Sequence, residues 1–547
     1  FPAHHIREAY DPDFLIGDNV STKIFEEYPE NDKKLISTSL LYMIMDKVDP
    51  KDLGEKHVFI EPNLEGITGF DFSKAPQIID SGYVAANKLI PDLLKSIEKR
   101  KTKEELKKER ENFKENMKPL KFSDFGFYGF RSDEKNYIKK IINPLDKNEL
   151  DIEELKANYF RLVADPYFSS VFPTIGYDSA KEQYKFSLSS EGEENLRLNF
   201  GGNVASSGLS NFYLGAGFDH LNYLLFNHNT SVSIGQFYKS FQYNLKIQFP
   251  FGYQFYAEPF FLYNGWDFLN TGNFLDNRRV IPINQFDRNY GVKIGMPIFD
   301  KMKLAFTSSL LRKVNEYTNT QDYITTDTLD FNRFYGLHHD VSLSYSNLND
   351  RVFPTKGVKI GVSLSHNYGT ETFIPGSTSE LNQNEKAHNW FQLNAEFEKY
   401  YSMKYGDLGF SLTAKASNLK SFSNYRGTLL NTPAYSPTFE SLGLYLENFR
   451  SPLFMAGGIK YQIKLHNDFN FRIEGHAFKP MISWEENENF VSRSGLIPDY
   501  YFSSMAALFY KSPIGPISIS GHYYDDQTPF LLLFNVGYLM FNKKPLE

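Results

Sequence analysis

The sequence predicts a mainly β protein whose larger part is a 16-stranded transmembrane antiparallel β-barrel. Three observations predict it: segment after segment alternates apolar and polar residues from about residue 196 to 541, the segments are even in number, and aromatic residues gather at their ends. The chain has 547 residues, with 51 Phe and 36 Tyr. Its mean hydropathy of −0.43 argues against a bundle of membrane helices, which needs repeated runs of about 20 apolar residues.

The alternation can be followed along single strands. Phe241, Tyr243 and Leu245 share one parity, whereas Gln242 and Asn244 hold the other, and side chains two apart on a strand share a face. A soluble sandwich is the alternative, since its strands also alternate. The long succession of segments with few helical interruptions favours the barrel. The predicted strands cover residues 196–204, 210–219, 226–238, 240–250, 253–265, 285–297, 301–312, 333–347, 356–367, 389–401, 406–418, 453–465, 468–478, 502–511, 515–524 and 529–541.

Shifts in composition divide the chain into four parts. Residues 1–90 are predicted to be α/β, 91–120 a charged helical linker, 121–192 a small α+β domain and 193–547 the barrel. The linker alternates the sign of its charges, which is typical of a solvated helix; a nucleic-acid-binding or lipid-binding arm is the alternative. Within the first part, strands are expected at 13–17 and 57–61 and a helix at 35–45.

The small domain is predicted to run strand, helix, helix, strand, strand. Its first strand lies near 122–127, Asp133 and Asp151 are the expected caps of the two helices, and strands near 171–177 and 184–188 close it. This order, placed before a barrel, resembles a POTRA domain, the periplasmic module of the Omp85 superfamily.

The stretches 158–163 (NYFRLV) and 172–177 (FPTIGY) strengthen that resemblance. They are similar to the POTRA repeats attached to lipases of the superfamily.

The barrel itself also resembles the Omp85 type, because a long segment, residues 419–452, separates its eleventh and twelfth strands. Members of the superfamily carry there a loop that folds into the lumen and has an arginine at its tip. Two arginines are candidates: Arg426 in Tyr-Arg-Gly and Arg450 in Phe-Arg-Ser, of which Arg450 is favoured. We call residues 419–452 the lumen loop.

The thirteenth strand offers a partner for that arginine. Its parity turns Arg472, Glu474 and His476 toward the lumen, so a loop arginine could form a charge-assisted pair with Glu474. The family's acidic residue stands two places before a glycine, whereas Glu474 stands directly before Gly475. The alternative to such a loop lock is an ordinary network of lumen charges.

The first ninety residues resemble part of a patatin-like phospholipase. Phe1-Pro2, the run 6–9 and the run 13–21 (DFLIGDNVS) are similar to the stretch that follows the family's catalytic Asp-Gly-Gly. The runs 60–66, 71–72 and 82–86 are similar to the end of the same domain. An unrelated α/β cap is the alternative.

The resemblance implies that the chain opens partway through an enzyme domain. The serine of the Gly-x-Ser-x-Gly elbow and the catalytic aspartate would both precede Phe1, so no catalytic residue is expected in this chain. The parent would hydrolyse acyl esters of phospholipids without a cofactor, as a lipid-metabolism hydrolase. Its expected surroundings and partners are outer-membrane lipids, a phospholipid substrate, and a homodimer or an outer-membrane protein complex.

Other kinds of chemistry find little support in the sequence. His4-His5 and His338-His339-Asp340 lack metal-site spacing, no cysteine is present, and no phosphate-binding glycine loop occurs. A net charge of −7 without a basic stripe argues against a nucleic-acid partner.

The expected location is the bacterial outer membrane, with the N-terminal domains in the periplasm. The main functional prediction is the barrel anchor of a patatin-like phospholipase. The alternative is a non-enzymatic Omp85-type assembly or translocation component that uses the patatin remnant as a docking platform; a passive porin is a third, weaker hypothesis because diffusion gives the lumen loop no role.

Overall fold

The computed structural model divides into two compact units, Phe1–Pro119 and Leu120–Glu547. The helix predicted at 35–45 and His4-His5 lie outside the residues it describes. The described residues are 6, 9–19, 53, 56–64, 67, 72–97, 101–116, 119–165, 167–168, 170–180, 183–190, 195–221, 223–249, 255–268, 282–299, 301–320, 324, 326–466, 468–487, 490–496, 499–526 and 530–546.

The first unit contains a parallel strand pair and two helices. Strands β1 (Leu15–Asp18) and β2 (His57–Ile60) pair side by side, close to the two strands predicted there. Helix α1 spans Ala75–Ser96 and α2 spans Lys103–Asn116. Helix α2 buries no residue, as expected for a solvated helix of alternating charge. Within the described residues, no helix is long and apolar enough to cross a membrane.

The second unit begins with an α+β module of six elements. Its sheet has the order β4-β3-β6-β5, with β3 parallel to β6 and the other neighbours antiparallel. The two helices share one apolar cluster with the sheet. The elements are β3 (Lys121–Tyr128), α3 (Ser132–Ile142), β4 (Leu150–Asp151), α4 (Ile152–Val163), β5 (Val171–Asp178) and β6 (Gln183–Ser190).

One predicted helix cap of the module is confirmed and the other is wrong. Asp151 caps α4, because its side chain accepts a hydrogen bond from the Glu154 amide at 2.8 Å. Asp133 instead lies in the first turn of α3, and Arg131 occupies the cap position. Glu134 reaches back to the Arg131 amide at 2.8 Å, which starts the helix before Asp133.

Sixteen strands then close into a barrel in which every neighbouring pair is antiparallel, so the predicted count is confirmed. Leu221 and Leu225, beside the turn between the second and third strands, belong to the same apolar cluster as the module. We therefore call this end of the barrel the module end and the opposite one the far end. The strands are β7 (Leu196–Ala205), β8 (Asn211–Leu221), β9 (Leu225–Gly235), β10 (Tyr238–Phe249), β11 (Phe255–Asp267), β12 (Ile283–Ile298), β13 (Met302–Tyr317), β14 (Asp330–Ser346), β15 (Gly357–Ile374), β16 (Asn384–Met403), β17 (Gly406–Ser417), β18 (Leu453–His466), β19 (Phe469–Ile482), β22 (Tyr501–Ser512), β23 (Gly515–Tyr524) and β24 (Phe530–Gly537), with a separate hairpin of β20 (Trp484–Asn487) and β21 (Phe490–Arg493) between β19 and β22.

The apolar row of each barrel strand faces outward. On β16, Phe391 and Leu393 are 49% and 46% exposed, whereas Gln392 between them is 3% exposed. A soluble sandwich would turn the apolar row inward, so the alternation here is that of a barrel with an apolar outer surface and a largely polar interior.

Candidate functional site

The lumen loop leaves β17 at the far end and occupies the barrel interior. It contains a short α-helix, α5 (Tyr425–Asn431), capped by Asn424, and a 3₁₀ helix at Glu440–Gly443. The Asn424 side chain accepts hydrogen bonds from the Gly427 amide and from the Tyr317 hydroxyl, both at 2.7 Å. It also donates to Asp330 at 3.1 Å. One buried amide thus caps the helix and joins the loop to two barrel strands, β13 and β14.

Further polar contacts hold the rest of the loop to strands on both sides of the lumen. The Tyr435 hydroxyl lies 3.0 Å from His476 Nδ1 on β19, and Thr438 Oγ1 lies 3.0 Å from the Tyr524 hydroxyl on β23. Lys313 on β13 donates to a loop carbonyl at 2.8 Å. Because these bonds are buried and reach strands on several sides, the loop has a fixed position in the lumen.

The two candidate arginines of the loop lie on the ring of one tyrosine. The guanidinium carbons of Arg426 and Arg450 are 5.3 and 5.1 Å from the centre of the Tyr445 ring. Arg426 also donates to Glu447 at 2.9 Å, and Arg450 donates to the Leu429 carbonyl at 3.1 Å. Both arginines therefore brace the loop internally.

The predicted inward strand residues lie together in one cluster. Glu474 Oε1 is 2.7 Å from Arg472 Nε, and Glu474 Oε2 is 3.0 Å from His476 Nε2. Both carboxylate oxygens are thus engaged by residues of the same strand. Arg472 also donates to the Pro354 carbonyl at 2.9 Å, which joins β19 to the turn between β14 and β15.

The loop-lock hypothesis paired Glu474 with an arginine from the lumen loop. The structure gives the arginine position beside Glu474 to Arg472 instead, because parity turns both side chains inward from one strand. The loop reaches this cluster through Tyr435 and His476. The role of Arg450, rather than Arg426, in assembly of the barrel stays a prediction.

Two members of the interior charge network were missed by the sequence reasoning. Lys460 on β18 and Glu398 on β16 form an ion pair at 2.5 Å, and the Tyr400 hydroxyl also donates to Glu398. Their inward parity was readable from the alternation in each strand. Their pairing was not, because it depends on how strands β16 and β18 lie across β17.

The barrel closes at an incomplete seam between its first and last strands. In the described residues, β24 and β7 pair at three positions only, from Asn535 opposite Ala205 to Gly537 opposite Asn203. Residues 196–201 of β7 have no neighbouring strand on that side in the part of the chain that the structure describes. The module-end half of β7 is therefore an exposed sheet edge.

The last strand ends earlier than predicted, because the chain turns at Gly537 rather than continuing to residue 541. Gly537 has a φ of +100°, and the Tyr538 amide then donates to the Gly202 carbonyl at 2.9 Å. We call residues 538–546 the C-terminal tail.

The tail enters the lumen beside the seam. Phe541 packs edge-on against Phe237 and Tyr238, with ring centres 5.8 and 5.0 Å away. It also stacks on Phe439 of the lumen loop at 6.3 Å with an interplanar angle of 9°. Farther along, Lys544 donates to Gln285 on β12 at 3.0 Å. The tail and the lumen loop thus both lie in the barrel interior.

The histidines considered as metal ligands point to different faces. His338 is buried and lies 2.7 Å from Asn367, whereas His339 stacks between Phe306 and His366 on the outside. Within the described residues, no group of three or more His, Cys, Asp or Glu side chains is arranged to hold a metal ion.

Comparison with solved structures shows which proteins have a similar fold. The structure of BamA from Haemophilus ducreyi lacking POTRA domains 1–3 aligns with a TM-score of 0.50 and 13% identity, over 76% of this chain and 84% of that chain. CdiB from Acinetobacter baumannii aligns with a TM-score of 0.44 and 10% identity, over 96% of this chain and 89% of that one. No family model and no curated protein matches the sequence. The likeness to BamA is one of fold: both chains form a closed β-barrel.

Proposed function

We propose that this chain is a non-enzymatic component of the outer membrane that assembles or translocates other polypeptides. The observation that carries the proposal is the incomplete seam, where three residue pairs close a barrel of sixteen strands. The free edge at residues 196–201 offers backbone donors and acceptors to an incoming strand, which is the chemistry of β-augmentation.

The loop and the tail inside the barrel favour this role over that of a passive pore. The lumen loop is bonded to β13, β14, β19 and β23, and the tail packs against it through Phe541 and Phe439. A solute channel of similar size would be expected to leave its lumen open. A polypeptide that enters at the seam would instead meet the tail directly.

The outer surface supports placement in a bilayer. Apolar and aromatic side chains are exposed on strand after strand, an arrangement that is costly in water and stable in lipid. In this proposal the barrel lies in the outer membrane, and the α+β module lies in the periplasm as a POTRA-like domain. Its parallel β3–β6 pair and two helices on one cluster support that assignment.

A disulfide across the seam tests the proposal. The chain has no cysteine, so V204C together with V536C, which are register partners, can form one disulfide only. In cells that depend on this protein, the oxidised variant should lose assembly or export of its clients, and a reductant should restore it. The matched control, L214C with V232C, locks partners in the complete β8–β9 ladder and should leave function intact. Full activity with a locked seam would refute the proposal.

The phospholipase anchor is the second candidate. It is favoured by the parallel pairing of β1 with β2, since parallel strands are typical of α/β domains. If a Gly-x-Ser-x-Gly elbow precedes Phe1 in the natural chain, lipid-release assays on that chain, beside a variant lacking the elbow serine, decide it. Release that depends on that serine supports the anchor role, and its absence supports the docking platform.

A further inference from the structure

A cavity of about 470 Å³ lies between the α+β module and the module end of the barrel. Helices α3 and α4 supply one wall, including Tyr137, Ile141 and Arg161. The ends of β10, β11, β12 and β13 supply the other wall. The cavity is thus situated at the rim, where the barrel surface passes from its apolar belt to the module.

The cavity carries an excess of positive charge. Its lining includes the cations Arg161, Lys246, Lys301 and Lys303 against one carboxylate, that of Asp165. Two of the lysines lie over a single ring, because the Nζ atoms of Lys246 and Lys303 are 4.7 and 5.1 Å from the centre of Tyr256.

The nearby carboxylates of Asp165 and Glu258 attract Lys246 but lie beyond ion-pair distance of it. Asp165 accepts hydrogen bonds from the Tyr167 amide at 3.0 Å and the Tyr137 hydroxyl at 3.2 Å, and Glu258 lies 3.9 Å from Lys293. Among the described residues, no carboxylate is within ion-pair distance of Lys246, Lys301 or Lys303. Like charges held this close favour a bound anion.

The outer lip of the same cavity is apolar. Phe249 and Phe255 are register partners on β10 and β11, and their rings stack with centres 4.5 Å apart and an interplanar angle of 7°. Met296 and Met302 complete the lip. Phe255 and Met296 are exposed on the side that continues the outward apolar face, whereas Lys246 has the inward parity of its strand.

We propose that this cavity binds an anionic phospholipid from the leaflet next to the module. Its phosphate lies against Lys246 and Lys303, and an acyl chain follows the lip formed by Phe249, Phe255 and the two methionines. A free phosphate would contact the lysines alone and not the apolar lip, whereas a phospholipid contacts both. The proposal rests on the placement of the barrel in a bilayer but not on the assembly or translocation role.

Native mass spectrometry of the full chain in detergent tests the site, with phosphatidylglycerol, phosphatidylcholine and inorganic phosphate as separate probes. We expect one phosphatidylglycerol to bind, with an affinity about tenfold above that of phosphatidylcholine, the size of effect expected for a charge-assisted contact. The variant K246Q/K303Q should lose about tenfold in affinity for phosphatidylglycerol for the same reason.

The matched control is K404Q/K464Q, which removes two exposed lysines from the same end of the barrel. It should bind phosphatidylglycerol as the unmodified chain does. Heat-dependent migration on gels shows that each variant keeps a folded barrel. Equal binding by K246Q/K303Q and by the control would overturn the proposal, as would equal affinity for the two lipids.

A second variant tests the acyl-chain half of the site. M302S makes the lip polar without changing charge, so it should weaken long-chain phosphatidylglycerol more than a short-chain form. Inorganic phosphate at millimolar concentration should not displace the lipid. Displacement by phosphate, or an M302S variant that binds both chain lengths as before, would refute a lipid site. Loss of client assembly with lipid binding intact would refute only the proposed function.

Discussion

Arg472 and Glu474 form a buried ion pair within a single strand, with Nε and Oε1 2.7 Å apart and side chains 1% and 6% exposed. The pair is completed by His476 on one side and by the Pro354 carbonyl on the other. Because every partner is already desolvated, loss of one member leaves a buried charge without compensation.

Replacement of this arginine should therefore destabilise the barrel strongly. We expect R472M to lower the free energy of unfolding by about 3–5 kcal/mol, measured by urea titration in lipid vesicles. The control K359M breaks the exposed pair of Lys359 with Glu396 and should cost about 0–1 kcal/mol. Equal losses in the two variants would contradict the assignment of Glu474 to a buried network.

The loop-lock hypothesis makes a prediction for Arg450. R450A removes the hydrogen bond to the Leu429 carbonyl and the cation–π contact of Arg450 with the Tyr445 ring. The lumen loop should therefore be held less firmly. The temperature at which the barrel unfolds on heat-modifiability gels should fall. R351A, at an arginine in the exposed turn between β14 and β15, provides the comparison. Unchanged assembly and heat-modifiability in R450A would count against a locking role.

Phe541 should control access to the lumen. F541A removes the ring that packs against Phe237, Tyr238 and Phe439, so the tail should leave its site more often and single-channel conductance in planar bilayers should rise. Y405A, which truncates a 75%-exposed turn residue, should conduct as the unmodified chain does. Identical traces from both variants would show that the tail does not obstruct the barrel.

Gly537 should be intolerant of a side chain. Its φ of +100° is unfavourable for alanine, and an added Cβ would lie 2.3 Å from the Gly202 carbonyl oxygen across the seam. We expect G537A to cost about 1–3 kcal/mol in barrel stability. G521A on β23 is the control, since nothing lies within 4 Å of its added Cβ. If G537A is as stable as G521A, the proposed turn at Gly537 is contradicted.

The buried carboxyl of Asp165 should make the stability of the module depend on pH. Burial raises the pKa of this carboxyl above its ordinary value of 3.8, although bonds from the Tyr167 amide and the Tyr137 hydroxyl oppose the shift. The folded state therefore binds this proton more tightly than the unfolded state does. The free energy of unfolding of the module should rise as pH falls from neutral through the raised pKa, and the gain should be complete below pH 3.8. Hydrogen exchange of module amides in the full chain should slow over that range. D165N should abolish the change, and a slope of opposite sign would refute it.

Local alternation was enough to predict the barrel, because lipid and lumen impose opposite polarity on neighbouring residues. It could not locate the end of β24: Phe530, Leu532 and Phe534 face outward, and the same pattern continues into the tail in the letters of the sequence. The turn inward depends on contacts of Phe541 with distant strands, which no local period encodes.

The candidate site was likewise predictable only in part. Parity correctly turned Arg472, Glu474 and His476 inward, as their burial confirms. Parity also places Arg472 beside Glu474 on one face of the strand. The partners of Arg426 and Arg450 depend instead on where a long loop lies among sixteen strands. Periodicity along one strand carries no information about that placement.

The stacking of Phe439 on Phe541 means that the two occupants of the interior do not respond independently. By thermodynamic reciprocity, the free energy that the bound tail contributes to holding the loop equals the free energy that the bound loop contributes to holding the tail. Displacement of the tail would then be felt at β13 and β19, the strands to which the loop is bonded.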